Sequence, residues 1–301
     1  MNECLESCAI ELLALLRDAG PYKPSLKADL YNAVWKVLED VRSIAADNGQ
    51  LLALSERNRV GYDYKSTIDA GLHDITYFTS NERNTDKEAD AIKALRDIDG
   101  FIGILGGATQ PRKFIGWLAK NNLLKSAILC DVSQGQLLLG VIFMKMHRML
   151  LEEEDANGIN KALAEMHRNE HPENTYLQRI RRIEVAKTPV IQMVRSDIRH
   201  ALEVAEPMRY LIYVSNILDF GSRGKGHIWV NEEHTKKFLR DKILDNEAVK
   251  EGSYVLCSLF PGYVLLKKEQ GSLKLHFADR SGESYIKEGD IEAINKALAS
   301  L

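Results

Sequence analysis

Cysteine is scarce in this chain, and its few thiols are not spaced for chemistry. Cys4, Cys8, Cys130 and Cys257 form no Cys-x-x-Cys pair, which argues against a zinc ribbon or a dithiol redox centre. Cys130 and Cys257 stand inside apolar runs and read as small core residues; Cys4 and Cys8 lie one helical turn apart. Such usage fits a reducing compartment. Long apolar runs are missing too: none approaches the ~18–20 residues of a membrane span. Met1–Glu6 carry acid where a secretory leader would carry a basic flank. The expected location is therefore the cytoplasm. Neither sign of charge dominates, since 40 Lys and Arg against 43 Asp and Glu leave a net charge of −3. That balance gives no whole-protein attraction to nucleic acid or to an acidic membrane. Internal repeats and low-complexity tracts are absent.

What is present is an ordinary globular composition, 45% hydrophobic and 28% charged over 301 residues. The first 85 residues read as helical, with Ile10, Leu13 and Leu16, then Leu30, Val34, Leu38 and Val41, at helical spacing. Gly20-Pro21 and Pro24 separate these helices, and the first strand signal is Ile75–Phe78. From Gly100 short apolar runs alternate with amphipathic stretches. The runs are Phe101–Leu105, Ser126–Val132, Val190–Val194, Tyr210–Val214 and Tyr254–Phe260. Helices are expected over Pro111–Asn121, with Thr109 as N-cap, and over Gln134–Leu150, Ile198–Val204 and Thr235–Leu244. Tyr263–Lys268 and Leu273–Phe277 flank Gly271-Ser272 and read as a hairpin. Strands alternating with helices imply βαβ units with right-handed crossovers. The expected architecture is α/β, a Rossmann-like, mostly parallel seven-stranded sheet with an antiparallel terminal hairpin. Residues 1–85 form a helical lid and 86–301 the cofactor-binding domain, interrupted by a charged helical insertion at 151–187.

In an open parallel sheet, ligands bind beyond the carboxyl ends of the strands at the switch point. The first run is followed by Gly106, Gly107 and Ala108, small residues that either admit a ligand to the backbone or make a tight turn. The second ends on Asp131 and Val132; the acid either accepts hydrogen bonds from two ribose hydroxyls or caps the helix from Gln134. After the third come Asp197 and Ile198. Asp197 can accept the amine of an adenine while Ile198 covers the ring, and it can equally cap the next helix. The fourth run carries Tyr213 and leads into Ser215 and Asn216, neutral polar groups suited to orienting an acceptor or the amino-acid end of a cofactor, or to forming a turn.

Taken together, these strand ends, from Gly100 to Phe277, resemble class I S-adenosylmethionine-dependent methyltransferases. Cys130-Asp131-Val132-Ser133-Gln134-Gly135-Gln136-Leu137 and Tyr213-Val214-Ser215-Asn216 are similar to the second- and fourth-strand motifs of an uncharacterised bacterial methyltransferase-like family. Ser80-Asn81-Glu82 resembles that family's lead-in segment. The same elements are similar to betaine-lipid aminocarboxypropyltransferases, which move the amino-acid arm of the same cofactor. The resemblance implies S-adenosylmethionine as cofactor, held by Gly106, Gly107, Ala108, Asp131, Val132, Asp197 and Ile198. It implies Tyr213, Ser215 and Asn216 beside the reacting group. Two departures are visible. The usual Gly-x-Gly-x-Gly loop is reduced to Gly106-Gly107 with no acid before it, which leaves Asn81 and Glu82 as candidates for the cofactor's charged end. No helix fits between Phe260 and Tyr263.

Other features read as bland. His167 and His171 share a helix face without a third ligand, so no metal is expected. The basic loop Gly221–Gly226 lacks the Gly-Lys-Ser/Thr ending of a P-loop and reads as a flap or a plain loop. Arg179, Arg181, Arg182 and Lys187 are balanced by neighbouring acids, which argues against nucleic acid as a partner. The expected function is transfer of a methyl group to a small-molecule acceptor. Aminocarboxypropyl transfer and a non-catalytic cofactor-binding regulator are the alternatives.

Overall fold

The computed structural model describes residues 10, 11, 14, 86–105, 110–119, 121–131, 191–195, 197–215, 217, 218, 220, 231–259, 262–279 and 286–301. Nearly all of the expected lid, the charged insertion, His167, His171 and the Gly221–Gly226 loop lie outside these residues.

The described chain is mixed α/β. Helix α1 (Asp86–Ala94) leads into β1 (Gly100–Ile104), α2 (Gln110–Ala119), β2 (Ser126–Asp131) and β3 (Ile191–Arg195). Helix α3 (Ile198–Glu203), β4 (Tyr210–Tyr213) and α4 (Glu232–Phe238) follow; α4 continues as a π-helical turn over Leu239–Leu244. The chain ends on β5 (Tyr254–Leu259), β6 (Gly262–Glu269), β7 (Ser272–Ala278) and α5 (Glu288–Ala299). One sheet runs in the order β3-β2-β1-β4-β5-β6-β7. The first five strands pair in parallel, and the last two are added antiparallel at the C-terminal end. The arrangement is consistent with a Rossmann-like fold.

Strands β1, β2, β4 and β5 are apolar on both faces because helices cover both sides. Side chains alternate between two cores. Phe101, Leu129, Leu211, Tyr213 and Leu256 face a layer with α1 and α2. Ile102, Cys130, Ile212, Val255 and Val264 face the layer with α3, α4 and α5. Glycine is required at Gly100, where a Cβ would stand 2.7 Å from Cδ1 of the Tyr210 ring.

One connection and two helices differ from the expected pattern. The antiparallel part begins one strand earlier than the terminal hairpin: β5 pairs with β6 through Leu259 and Gly262, with no helix between them. The chain runs β5-β6-β7 as a meander, turning into β7 through Gln270 (φ 54°) and Gly271 (φ 68°), the positive pair that a tight two-residue hairpin demands. Helices α1 and α5 were not anticipated. Helix α5 has its own start signal, since the Asp290 carboxylate accepts the Lys287 N–H at 3.0 Å. Ile291, Ile294, Ala297 and Leu298 then form its buried stripe.

Candidate functional site

Strand β1 pairs with β2 on one side and β4 on the other, so the topological switch point lies between β1 and β4. At the carboxyl end of β1, the Leu105 N–H donates to Cys130 O at 2.9 Å. Beside it β4 runs out through Val214, whose N–H donates to Leu256 O at 3.0 Å. The next residue, Ser215, has φ 53° and is buried. A non-glycine residue held there costs on the order of 1–3 kcal/mol and persists only where its surroundings enforce it. Part of that enforcement is the Ser258 N–H, which donates to Ser215 O at 2.8 Å.

On the other side of β1, Asp131 ends β2 and Asp197 follows β3. Burial pushes the Cys130 thiol well above its ordinary pKa, and the charges of Asp131 and then Asp197 push it further. Both carboxylates thus act on one buried sulfur at the edge of the sheet. Asp197 is also the N-cap of α3. Its Oδ1 accepts the N–H groups of Arg199 at 2.8 Å and His200 at 3.2 Å, and its Oδ2 is gripped by the Arg199 guanidinium. The capping alternative is therefore real for Asp197. Ile198 is 2% exposed and packs among the core residues around Cys130 and Val194.

Tyr213 ends β4 with its ring wholly buried on the α2 side of the sheet, edge-on to Phe114 at 4.8 Å between centroids. The structure thus sets Asp131 at the end of β2 and Asp197 just past the neighbouring β3, with Tyr213 and Ser215 at the end of β4. Asn81, Glu82, Gly106, Gly107, Ala108, Val132 and Asn216 lie outside the described residues. Two residues of this edge were not singled out from sequence. Arg199, which grips Asp197, was signalled only by the spacing Asp-x-Arg. Ser258 steadies Ser215 through its backbone N–H, which any residue but proline supplies, so no side-chain signal marked it. Among the described residues no group of three or more His, Cys, Asp or Glu could hold a metal ion, and no helix is long and apolar enough to cross a membrane.

No protein-family model and no curated protein matches this chain. Among solved structures, one from Clostridium thermocellum described as a "putative rRNA-methylase" aligns with 74% of this chain and 85% of its own, at 10% identity and a TM-score of 0.31.

Proposed function

We propose that this crevice binds S-adenosylmethionine and that the protein transfers the cofactor's methyl group to a small-molecule acceptor. The observation that carries the reading is the pair Asp131 and Asp197 at the neighbouring ends of β2 and β3, with β2 next to β1 of the β1/β4 switch point. In this reading Asp131 accepts hydrogen bonds from the ribose hydroxyls. Asp197 turns its remaining lone pairs to the adenine amine, since a carboxylate offers about four acceptor sites. Gly106, Gly107, Ala108 and Val132 line the approach of the cofactor, and Asn81 and Glu82 serve its charged end. Ser215 and Asn216 orient the acceptor. In the transfer, a lone pair on the acceptor forms the new bond to the methyl carbon as the carbon–sulfur bond breaks. The sulfur keeps the electron pair of the broken carbon–sulfur bond and leaves as the neutral thioether of S-adenosylhomocysteine. Alignment supplies most of the acceleration, and a base is needed only where the acceptor must lose a proton.

The test is calorimetric titration of the folded protein with S-adenosylmethionine and with S-adenosylhomocysteine. Binding of both is expected, and binding of neither sinks the reading. The product left after turnover separates methyl transfer, which leaves S-adenosylhomocysteine, from aminocarboxypropyl transfer, which leaves methylthioadenosine. Binding without turnover would indicate a regulator.

A further inference from the structure

The two tyrosines of β4 meet opposite fates. Tyr210 faces the layer of α3 and α5, and its hydroxyl donates to Glu206 O at 2.7 Å. Tyr213 faces the α2 layer at 0% exposure, and its hydroxyl has no hydrogen-bond partner among the described residues. Natural cores rarely leave such a group unmade, because its lost hydration goes uncompensated. Packing accounts for the ring: Phe114 meets Tyr213 at 4.8 Å, Trp117 at 5.7 Å and Tyr263 at 6.3 Å. A phenylalanine would serve that aromatic nest equally well. Packing does not account for the oxygen.

Position does. Tyr213 is the last residue of β4, in register with Gly103 of β1 and two residues before the left-handed Ser215. Its partner Phe114 lies about 6 Å along α2 from Gln110, at about 1.5 Å per residue. The ring therefore sits roughly one turn beneath the crevice. Strand β4 is two ladders from β2, about 10 Å at about 4.8 Å per strand. An adenosyl ligand whose ribose rests on Asp131 at the end of β2 must extend its amino-acid arm across β1 toward β4.

We propose that Tyr213 binds that arm, its hydroxyl donating to the ligand's carboxylate and so gaining the hydrogen bond it does not find among the described residues. This rests on the adenosyl-binding reading above, and it moves Tyr213 from the acceptor's side to the cofactor's. A phenol donating to a carboxylate makes a short, charge-assisted bond.

The experiment uses the full chain with Tyr213→Phe and two probes. S-adenosylmethionine carries the arm; 5′-methylthioadenosine keeps the adenosyl half and lacks it. The variant should melt higher than wild type without ligand, bind S-adenosylmethionine about tenfold or more weakly, and bind 5′-methylthioadenosine unchanged. Equal S-adenosylmethionine affinity in both proteins would overturn the proposal, as would equal weakening of both probes. Wild type binding neither probe would overturn the adenosyl reading and this assignment with it.

Discussion

Lys268 offers a quantitative test of how the π-helical turn is ended. It lies on β6 and is 6% exposed. Its ammonium donates to Ile243 O at 2.8 Å, Leu244 O at 2.7 Å and Val249 O at 2.7 Å. The first two are among the carbonyls that every helix end leaves without an internal partner. Lys268→Met keeps most of the apolar stem and removes the charge. Three charge-assisted hydrogen bonds at about 1.5–3 kcal/mol each amount to roughly 5–9 kcal/mol gross. Burying the ammonium opposes this by several kcal/mol; the same desolvation lowers the lysine's pKa. The net loss expected on substitution is about 3–5 kcal/mol, a fall in Tm on the order of 10 °C for a chain of this size. Urea denaturation followed by circular dichroism measures it. Lys274→Met is the control, because Lys274 is half-exposed and among the described residues pairs only with Glu269, at 3.4 Å; it should stay within about 0.5 kcal/mol of wild type. A loss below about 1 kcal/mol at Lys268 would refute the reasoning, since the carbonyls would then be satisfied as well without the lysine.

Gly100→Ala drives a methyl into the Tyr210 ring, which the bond to Glu206 O holds in place, and should remove about 1–3 kcal/mol in chemical denaturation. The two edge carboxylates should separate by phenotype. Asp197→Ala loses the cap of α3 and about 0.5–2 kcal/mol of stability, whereas Asp131→Ala should chiefly weaken S-adenosylmethionine binding, by about tenfold or more in calorimetry. The Lys125 ammonium at 2.9 Å holds the Asp99 carboxyl below its ordinary pKa, against the opposing effect of burial. The folded state therefore takes up this proton less readily than the unfolded chain. The pair's stabilisation is complete above the ordinary carboxylate value and disappears as pH falls through the lowered one. Lys125→Met should flatten that acid limb in thermal melts, and an unchanged limb would show that the pair contributes nothing.

The strands were legible because each central one is a short apolar run with no polar face, which only a doubly covered sheet accommodates. Helix α5 was legible in principle, through Asp290 and the stripe Ile291, Ile294, Leu298. Its polar face and its place after the hairpin hid it from a reading that followed apolar runs. The β5–β6 link was visible as a departure from the usual pattern, because no helix fits between Phe260 and Tyr263. The Phe260–Tyr263 spacing left room only for a reversal, which makes β6 antiparallel. At the edge, Asp131 and Asp197 were legible from their place after apolar runs. Sequence could not decide between cap and ligand for Asp197, because both uses need a carboxylate at the same position. Lys268 was invisible for another reason. In Lys267-Lys268-Glu269 it looks like the wet end of a strand, yet it shares the inward face of β6 with Val264 and Leu266 and meets the end of the π-helical turn.

The meander β5-β6-β7 also separates the sheet into parts with different histories of assembly. Its pairings join near neighbours between Tyr254 and Ala278, and hairpins of that kind close within about 1–10 μs. Strand β1 finds β4 only across roughly a hundred residues, as Gly100 meets Tyr210. Relative to a ten-residue loop, that closure carries about 2 kcal/mol more chain entropy. The crevice between β1 and β4 does not exist until this long-range contact is made. Closing the fold and creating the edge shared by Leu105, Val214 and Ser215 are therefore one event, and whatever occupies that edge acts on the slowest contact of the sheet.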